Sequence, residues 1–284
     1  MSSLKARIEA LERKLKPLAD EEHKFLKCLN NVLSFCDYIG FKPTEYQKKF
    51  LLDDNHFIVL RWARQSGKSA TVSVKLLWYA LKNPHWFIMV VGPSFRQSKL
   101  VLQKRITPLL KKVPKRFIKK VLKTRLEFMN GSAIECYPGN PDTIRGPTCH
   151  VVYVDEFNFI GDDEEIYDAI LFTINTTNGY VILSSTPWTT DHMFYRICFE
   201  KEFDDYSRYH VTWREALEPN GPLKKMIFEK LKKQFASDPW RWKREMEAEF
   251  AEDEDVYLSQ SLISSCIDPE LEYWDERDLV ANIP

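Results

Sequence analysis

Short unbroken apolar runs alternate with amphipathic stretches from about Phe41 to Phe199, the pattern of strands buried on both faces and separated by helices. Phe57–Leu60, Trp86–Val91, His150–Val154 and Gly179–Leu183 read as core strands. Ala70–Leu81, Asp163–Asn175 and Thr190–Lys201 read as helices, and another opens at Ser94 after the Gly92-Pro93 turn. Leu126–Met129 and Ser132–Tyr137, joined through Asn130-Gly131, read as a β-hairpin. The alternation predicts an α/β fold with a mostly parallel sheet flanked by helices.

The two ends differ from this core. Residues 2–38 read as helix, in which Leu4, Ile8, Leu11, Leu15 and Leu18 form a short heptad seam interrupted by Pro17. The seam suits packing against the body or against a partner helix. From Phe203 onward a short strand, Tyr209–Trp213, precedes two amphipathic helices rich in Lys and Glu, Leu223–Phe235 and Trp240–Phe250. The organisation expected is a helical segment over 1–40, a core over 41–202, a small, mainly helical linker subdomain over 203–255, and an acidic connector over 256–284.

Composition narrows the class. The 284 residues are 44% hydrophobic and 29% charged, as in a soluble protein, with no apolar run of membrane-span length and no signal-peptide core at the start. Six cysteines form no Cys-x-x-Cys pair, which points to reduced, mostly buried thiols in an intracellular protein. The six histidines have no ligand-like spacing, so no structural metal is expected. Net charge is zero, yet every charged residue from Arg96 to Arg125 is basic, and the stretch after Glu252 is acidic. Two readings stand for the basic block: a contact for a polyanion, or a solvated helix face balanced by the acidic tail.

The chemistry is carried by Arg61–Ser69, entered from the strand Phe57–Leu60 and leading straight into a helix. Such a turn, ending in Gly67-Lys68-Ser69, can cradle phosphate oxygens on backbone N–H groups, with Lys68 reaching the terminal phosphates and Ser69 ligating Mg²⁺. Trp62 stands where the usual pattern has its first glycine. The plain alternative is an ordinary helix start with Lys68 in solvent. Asp155 and Glu156 follow the strand His150–Val154, placed for a Walker B pair in which Asp155 holds the metal shell and Glu156 polarises the attacking water. Read alone, two acids after a strand are a solvated turn. Ser184-Ser-Thr-Pro187 ends the next strand, where Thr186 either senses the γ-phosphate or simply closes the strand before Pro187.

Together these motifs resemble the ATPase domain of the large terminase subunit, the DNA-packaging motor of tailed viruses. Arg64-Gln65-Ser66-Gly67-Lys68-Ser69 is similar to that family's variant loop, in which the first glycine is dispensable. The resemblance covers roughly Lys42 to Asp255 and implies a P-loop NTPase fold of the ASCE type, ATP and Mg²⁺ as cofactors, and a nucleotide site that includes Arg64, Gln65 and Ser66. Pro43–Gln47 resembles its adenine-reading motif, which gives Gln47 the base contact; the other reading is an exposed helical glutamine. Arg145, in Thr143–Gly146, resembles the family's candidate arginine finger, acting on a neighbouring subunit; a structural arginine capping a loop is the alternative. Arg64 inherits a contact to the γ-phosphate, Thr186 a coupling role, and Glu245, Glu249 and Phe250 the end of the linker.

The resemblance further implies double-stranded viral DNA, a portal protein and a small terminase subunit as partners, a homo-oligomeric ring, and a place in the host cytoplasm, transiently at the procapsid portal. Full-length family members continue into a nuclease, for which the stretch after residue 255 is too short. A natural fragment or excised ATPase domain without nuclease activity is therefore expected. The alternatives are a superfamily-2 helicase-like, DNA-dependent ATPase, or a nucleotide-gated DNA-binding scaffold without turnover.

Overall fold

In the structure, a computed structural model describing residues 20–250, one eight-stranded sheet runs in the order β3-β4-β5-β2-β6-β7-β1-β8. The strands are β1 (Phe57–Trp62), β2 (Phe87–Gly92), β3 (Ile118–Val121), β4 (Arg125–Phe128), β5 (Ala133–Pro138), β6 (Val151–Asp155), β7 (Tyr180–Ser185) and β8 (Ser207–Val211). All neighbouring pairs from β5 to β8 are parallel, while β3 and β4 extend the sheet in antiparallel fashion. The expected α/β class is thereby the observed one.

Both faces of the central strands are buried, which explains their unbroken apolar runs. Leu60, Trp62, Ile88, Val90, Val151, Tyr153 and Ile182 enter one core. Val59, Met89, Val91, Val152, Val154, Val181 and Leu183 enter the other. Against the first face pack α1 (residues 20–28), α2 (Val32–Ile39), α3 (Glu45–Leu52), α4 (Lys68–Lys82) and the end of α5 (Phe95–Val101). The helices Asp163–Ile174 and Met193–Phe199 cover the second.

Several expectations are revised. The single helix read over 2–38 is broken in its described part. Asn31 caps α2 by accepting the Leu33 and Ser34 amides on its side chain, a stronger local demand than helix continuity. The heptad seam Leu4–Leu18 and the acidic connector lie outside the described residues. The strand expected at 209–213 is β8, a parallel partner of β1, so the sheet runs past the boundary drawn at residue 202. The last helix expected, Trp240–Phe250, is a short α-turn (Pro239–Trp242) and a π-turn (Lys243–Glu247) ending at Ala248 with φ of 50°.

The basic block changes most. Its helical first part gives way to the edge strand β3, hidden from sequence reading because three of its four residues are exposed. Acids of the folded body pair with it: Arg116 with Glu22 at 2.6 Å, Lys119 with Glu127 at 3.5 Å, and Arg125 with Glu127 at 3.0 Å and Glu135 at 2.5 Å.

A buried lysine ties α3 to α4. Lys75, 1% exposed, donates to the Phe50 carbonyl at 2.9 Å and to the Asp53 carbonyl, closing the C-terminal end of α3. Burial pushes its ammonium down to about 8. Lys75→Met should remove both side-chain bonds, leaving the Phe50 carbonyl only the Asp53 amide, and destabilise the fold by about 1–3 kcal/mol. Urea unfolding checks this, and an unchanged midpoint would contradict the tie.

Candidate active site

The loop between β1 and α4 is shaped by what lies beneath it. Trp62 is the last residue of β1 and is fully buried, edge-on to Tyr46 at 5.1 Å and Phe50 at 6.2 Å. The position expected to be glycine therefore belongs to a core strand, and the turn itself begins later. Gln65 (φ 61°) and Gly67 (φ 87°) supply its left-handed residues. A Cβ at Gly67 would lie 2.7 Å from Gln47 Nε2, so a side chain is excluded there twice over.

Tyr46 Oη donates to the Ser66 carbonyl at 2.7 Å, and Gln47 Nε2 reaches the same oxygen at 3.5 Å. Gln47 Oε1 accepts the Thr44 amide at 3.0 Å. Gln47 is 5% exposed and does not line the adjoining cleft. It is not an exposed glutamine: in this structure both ends of its amide bond backbone groups and brace the loop.

At the carboxyl ends of β1, β6 and β7 opens a cleft of about 660 Å³, within the usual size of a small-molecule site. Arg64, Gln65, Gly67, Lys68, Ser69, Glu156 and Thr186 line it. Lys68 Nζ lies 3.4 Å from Glu156 Oε1, and Ser69 Oγ is 3.3 Å from each carboxylate oxygen of Asp155. Ser66 is buried beneath the loop.

The end of β7 holds both acids. Asp155 pairs in register with Ser184, whose Oγ donates to Asp155 Oδ1 at 3.0 Å, and Tyr153 Oη donates to that oxygen at 2.7 Å. Burial, then the neighbouring Glu156, pushes the Asp155 carboxyl above the ordinary aspartate range. Burial and Asp155 push the Tyr153 phenol well up, which keeps it protonated as the donor. Glu156 Oε2 accepts the Thr186 amide at 3.3 Å and lies 3.3 Å from Ser185 Oγ. The backbone of Glu156 is left-handed (φ 54°, ψ 48°), a conformation costing on the order of 1–2 kcal/mol for a residue with a Cβ.

Two arginines named from the sequence are engaged by acids of the same chain. Arg64 Nη1 is held by both carboxylate oxygens of Glu245, at 2.8 and 3.0 Å, and the Arg64 amide bonds the Glu245 carbonyl at 2.8 Å. It lines the cleft but is engaged by an acid from the linker region. Arg145 lies on the surface after the turn Pro141–Ile144, 3.5 Å from Asp142 and 3.4 Å from Glu165, and does not line the cleft.

Other contributors were missed. Asn158 Oδ1 accepts the amides of Trp188 and Thr189 at 2.6 and 3.3 Å, clamping the segment after Pro187. Its position just after Glu156 was the available signal. Glu245 was named only as part of the linker's end, since nothing local ties it to Arg64. Tyr46 sat inside the motif that drew attention to Gln47.

This arrangement of loop, Walker-type acids and strand order defines a P-loop nucleotide-binding fold. Residues 60–265 match the family described as terminase large subunit, T4likevirus-type, N-terminal. The chain belongs to the large terminase subunit family.

Solved structures share the fold. The large terminase ATPase domain of Thermus phage P74-26 aligns at 19% identity and a TM-score of 0.60, covering 76% of this chain and 97% of that one. The large terminase of another phage, described as a thermophilic bacteriophage, aligns at 15% identity and a TM-score of 0.62, over 74% of this chain and 54% of that one. That of bacteriophage HK97 aligns at 16% identity and a TM-score of 0.60, over 74% and 51%. This chain thus spans about half the length of those last two proteins. The second of the three, from the thermophilic bacteriophage, has also been crystallised with ADP and with ATP-γ-S.

The position of Gln47 yields a test. Gln47→Ala should slacken the loop and weaken ATP and GTP alike, by roughly two- to tenfold for the one bond that reaches the loop. Competition binding with both nucleotides checks it, and a loss confined to ATP would support the base-reading role.

Proposed function

We propose that this chain hydrolyses ATP and that hydrolysis drives double-stranded viral DNA into a capsid. The observation carrying the reading is the meeting of Lys68, Ser69, Asp155 and Glu156 at one end of the sheet, beneath a loop built for phosphate. Membership of the terminase family supports the motor role, and the nucleotide complexes of the thermophilic bacteriophage's terminase support ATP as ligand.

Loop amides and Lys68 would hold the β- and γ-phosphates, Lys68 leaving its contact with Glu156 to do so. Glu156 would orient a water and accept its proton as the water oxygen attacks the γ-phosphorus. The β–γ bridging P–O bond then breaks, leaving its electron pair on ADP and releasing phosphate. Ser69 Oγ and the Asp155 carboxylate, adjacent hard oxygen donors, fit Mg²⁺, which when bound would neutralise phosphate charge. Thr186, bonded through its amide to Glu156, would relay loss of the γ-phosphate along β7.

The partners in this reading are duplex DNA, a portal protein, a small terminase subunit and further copies of the chain in a ring. The setting is the host cytoplasm and the procapsid portal. Arg145, exposed and outside its own cleft, suits a finger acting on a neighbour's nucleotide. DNA of any sequence would be gripped by its phosphates, through those lysines of the basic block without an acidic partner among the described residues, such as Lys111, Lys112 and Lys115.

Glu156→Gln should lower ATP turnover by roughly 10²–10⁴ while nucleotide still binds. Turnover is measured with and without linear duplex DNA, which should stimulate the wild-type chain. Binding without turnover in the wild type would favour a nucleotide-gated scaffold instead. For Arg145, assembled mixtures of Arg145→Ala and Glu156→Gln subunits should recover activity, because some interfaces then combine an intact glutamate with an intact arginine. No recovery at any ratio would assign Arg145 a role within its own subunit.

A further inference from the structure

Beyond Asp155 and Glu156 the cleft continues into a groove of about 300 Å³, floored by Pro93, Leu100 and Val101. Arg105 lines both compartments, as do Ser69, Gln97 and Glu156. Its placement follows from a local departure in the helix after β2. Leu102–Ile106 forms a π-turn, in which the Thr107 amide bonds the Leu102 carbonyl five residues back. The wider turn keeps Leu102 and Ile106 fully buried and leaves Arg105 exposed at the rim.

Two arginines line the main cleft, and they differ in one respect. Arg64 is bound by both oxygens of Glu245, whereas Arg105 has no acidic partner among the described residues. An exposed guanidinium without an acidic partner, lining the same cavity as Lys68 and Ser69, is a ready anion ligand.

We propose that Arg105 binds the γ-phosphoryl group of a nucleotide in its own subunit and so discriminates ATP from ADP. The proposal rests on the reading of the cleft as an ATP site. Direction along the cleft argues for the γ-group: the loop and α4 start at β1, so the phosphate chain held there ends toward β6, where Asp155, Glu156 and the Arg105 turn converge. Position also separates Arg105 from the other bases of the block: Lys104 lines only the groove, and Lys111, Lys112 and Lys115 line neither compartment. As part of that block Arg105 shares its two readings, a contact for a polyanion or a solvated helix face. The geometry assigns it to the nucleotide.

The test is equilibrium binding of ATP-γ-S and of ADP, each with Mg²⁺, to wild type, Arg105→Ala, Arg105→Gln and Arg105→Lys. The two neutral variants should lose roughly 10–100-fold in ATP-γ-S affinity and less than about twofold in ADP affinity, with Arg105→Lys recovering part of the loss. Unchanged thermal melting shows that the fold is retained, as expected for an exposed side chain. An equal loss for both nucleotides, or no loss for either, overturns the proposal. So does a flattened salt dependence of duplex DNA binding with both nucleotide affinities intact, which would return Arg105 to the DNA surface. A wild-type chain that binds neither nucleotide removes the ATP-site reading itself, a result separable from failure of Arg105 alone.

Discussion

The in-register pairing of β6, β7 and β1 is the constraint on which the site depends. Ser184 lies opposite Asp155 on one side and Leu60 on the other, so the acid, its hydroxyl partner and the entry to the phosphate loop share one level of the sheet. A slip of one residue would turn every side chain of a strand to the opposite face. Strand alternation also places Tyr153 and Asp155 on the face covered by α4, where Ser69 begins the helix. The same alternation would send Glu156 to the other face, away from Lys68. The left-handed backbone at Glu156 breaks the alternation and brings both acids to the cleft, at the cost of local strain.

Around this centre the loop is gripped from two sides by contacts of different strength. From below, Tyr46 and Gln47 hold the Ser66 carbonyl through buried or part-buried hydrogen bonds, and Trp62 anchors the strand that feeds the loop. From the linker side, Glu245 holds Arg64, whose side chain is 64% exposed. A pair this open to water contributes only about 0.2–1 kcal/mol, so it sets the direction of Arg64 more than it anchors the loop. The floor of the site is thus fixed by burial and its rim by exchangeable charge pairs.

What the sequence disclosed follows from the range of the interactions involved. Core strands were legible because burial on both faces leaves an unbroken apolar run, and Lys68, Ser69, Asp155 and Glu156 because each sits where such a strand ends. Strand β3 was not, since its residues are basic and exposed and only pairing with β4 makes it a strand. The break before α2 came from the capping side chain of Asn31, a local signal outweighed by the apolar periodicity around it. Gln47, Glu245 and Arg105 resisted for one reason. Their partners or neighbours in the site lie far away in sequence, and nothing in the residues flanking them says which surface they will meet.

In the proposed reading Lys68, Ser69, Asp155 and Glu156 form one ATP-hydrolysing centre. A crystal structure of the chain with ADP, Mg²⁺ and a planar metal-fluoride mimic of the transferring phosphoryl group tests it most directly. The mimic is expected between Lys68 Nζ and Glu156, with the metal against Ser69 and Asp155. Nucleotide bound elsewhere, or a mimic seated away from Glu156, would contradict it.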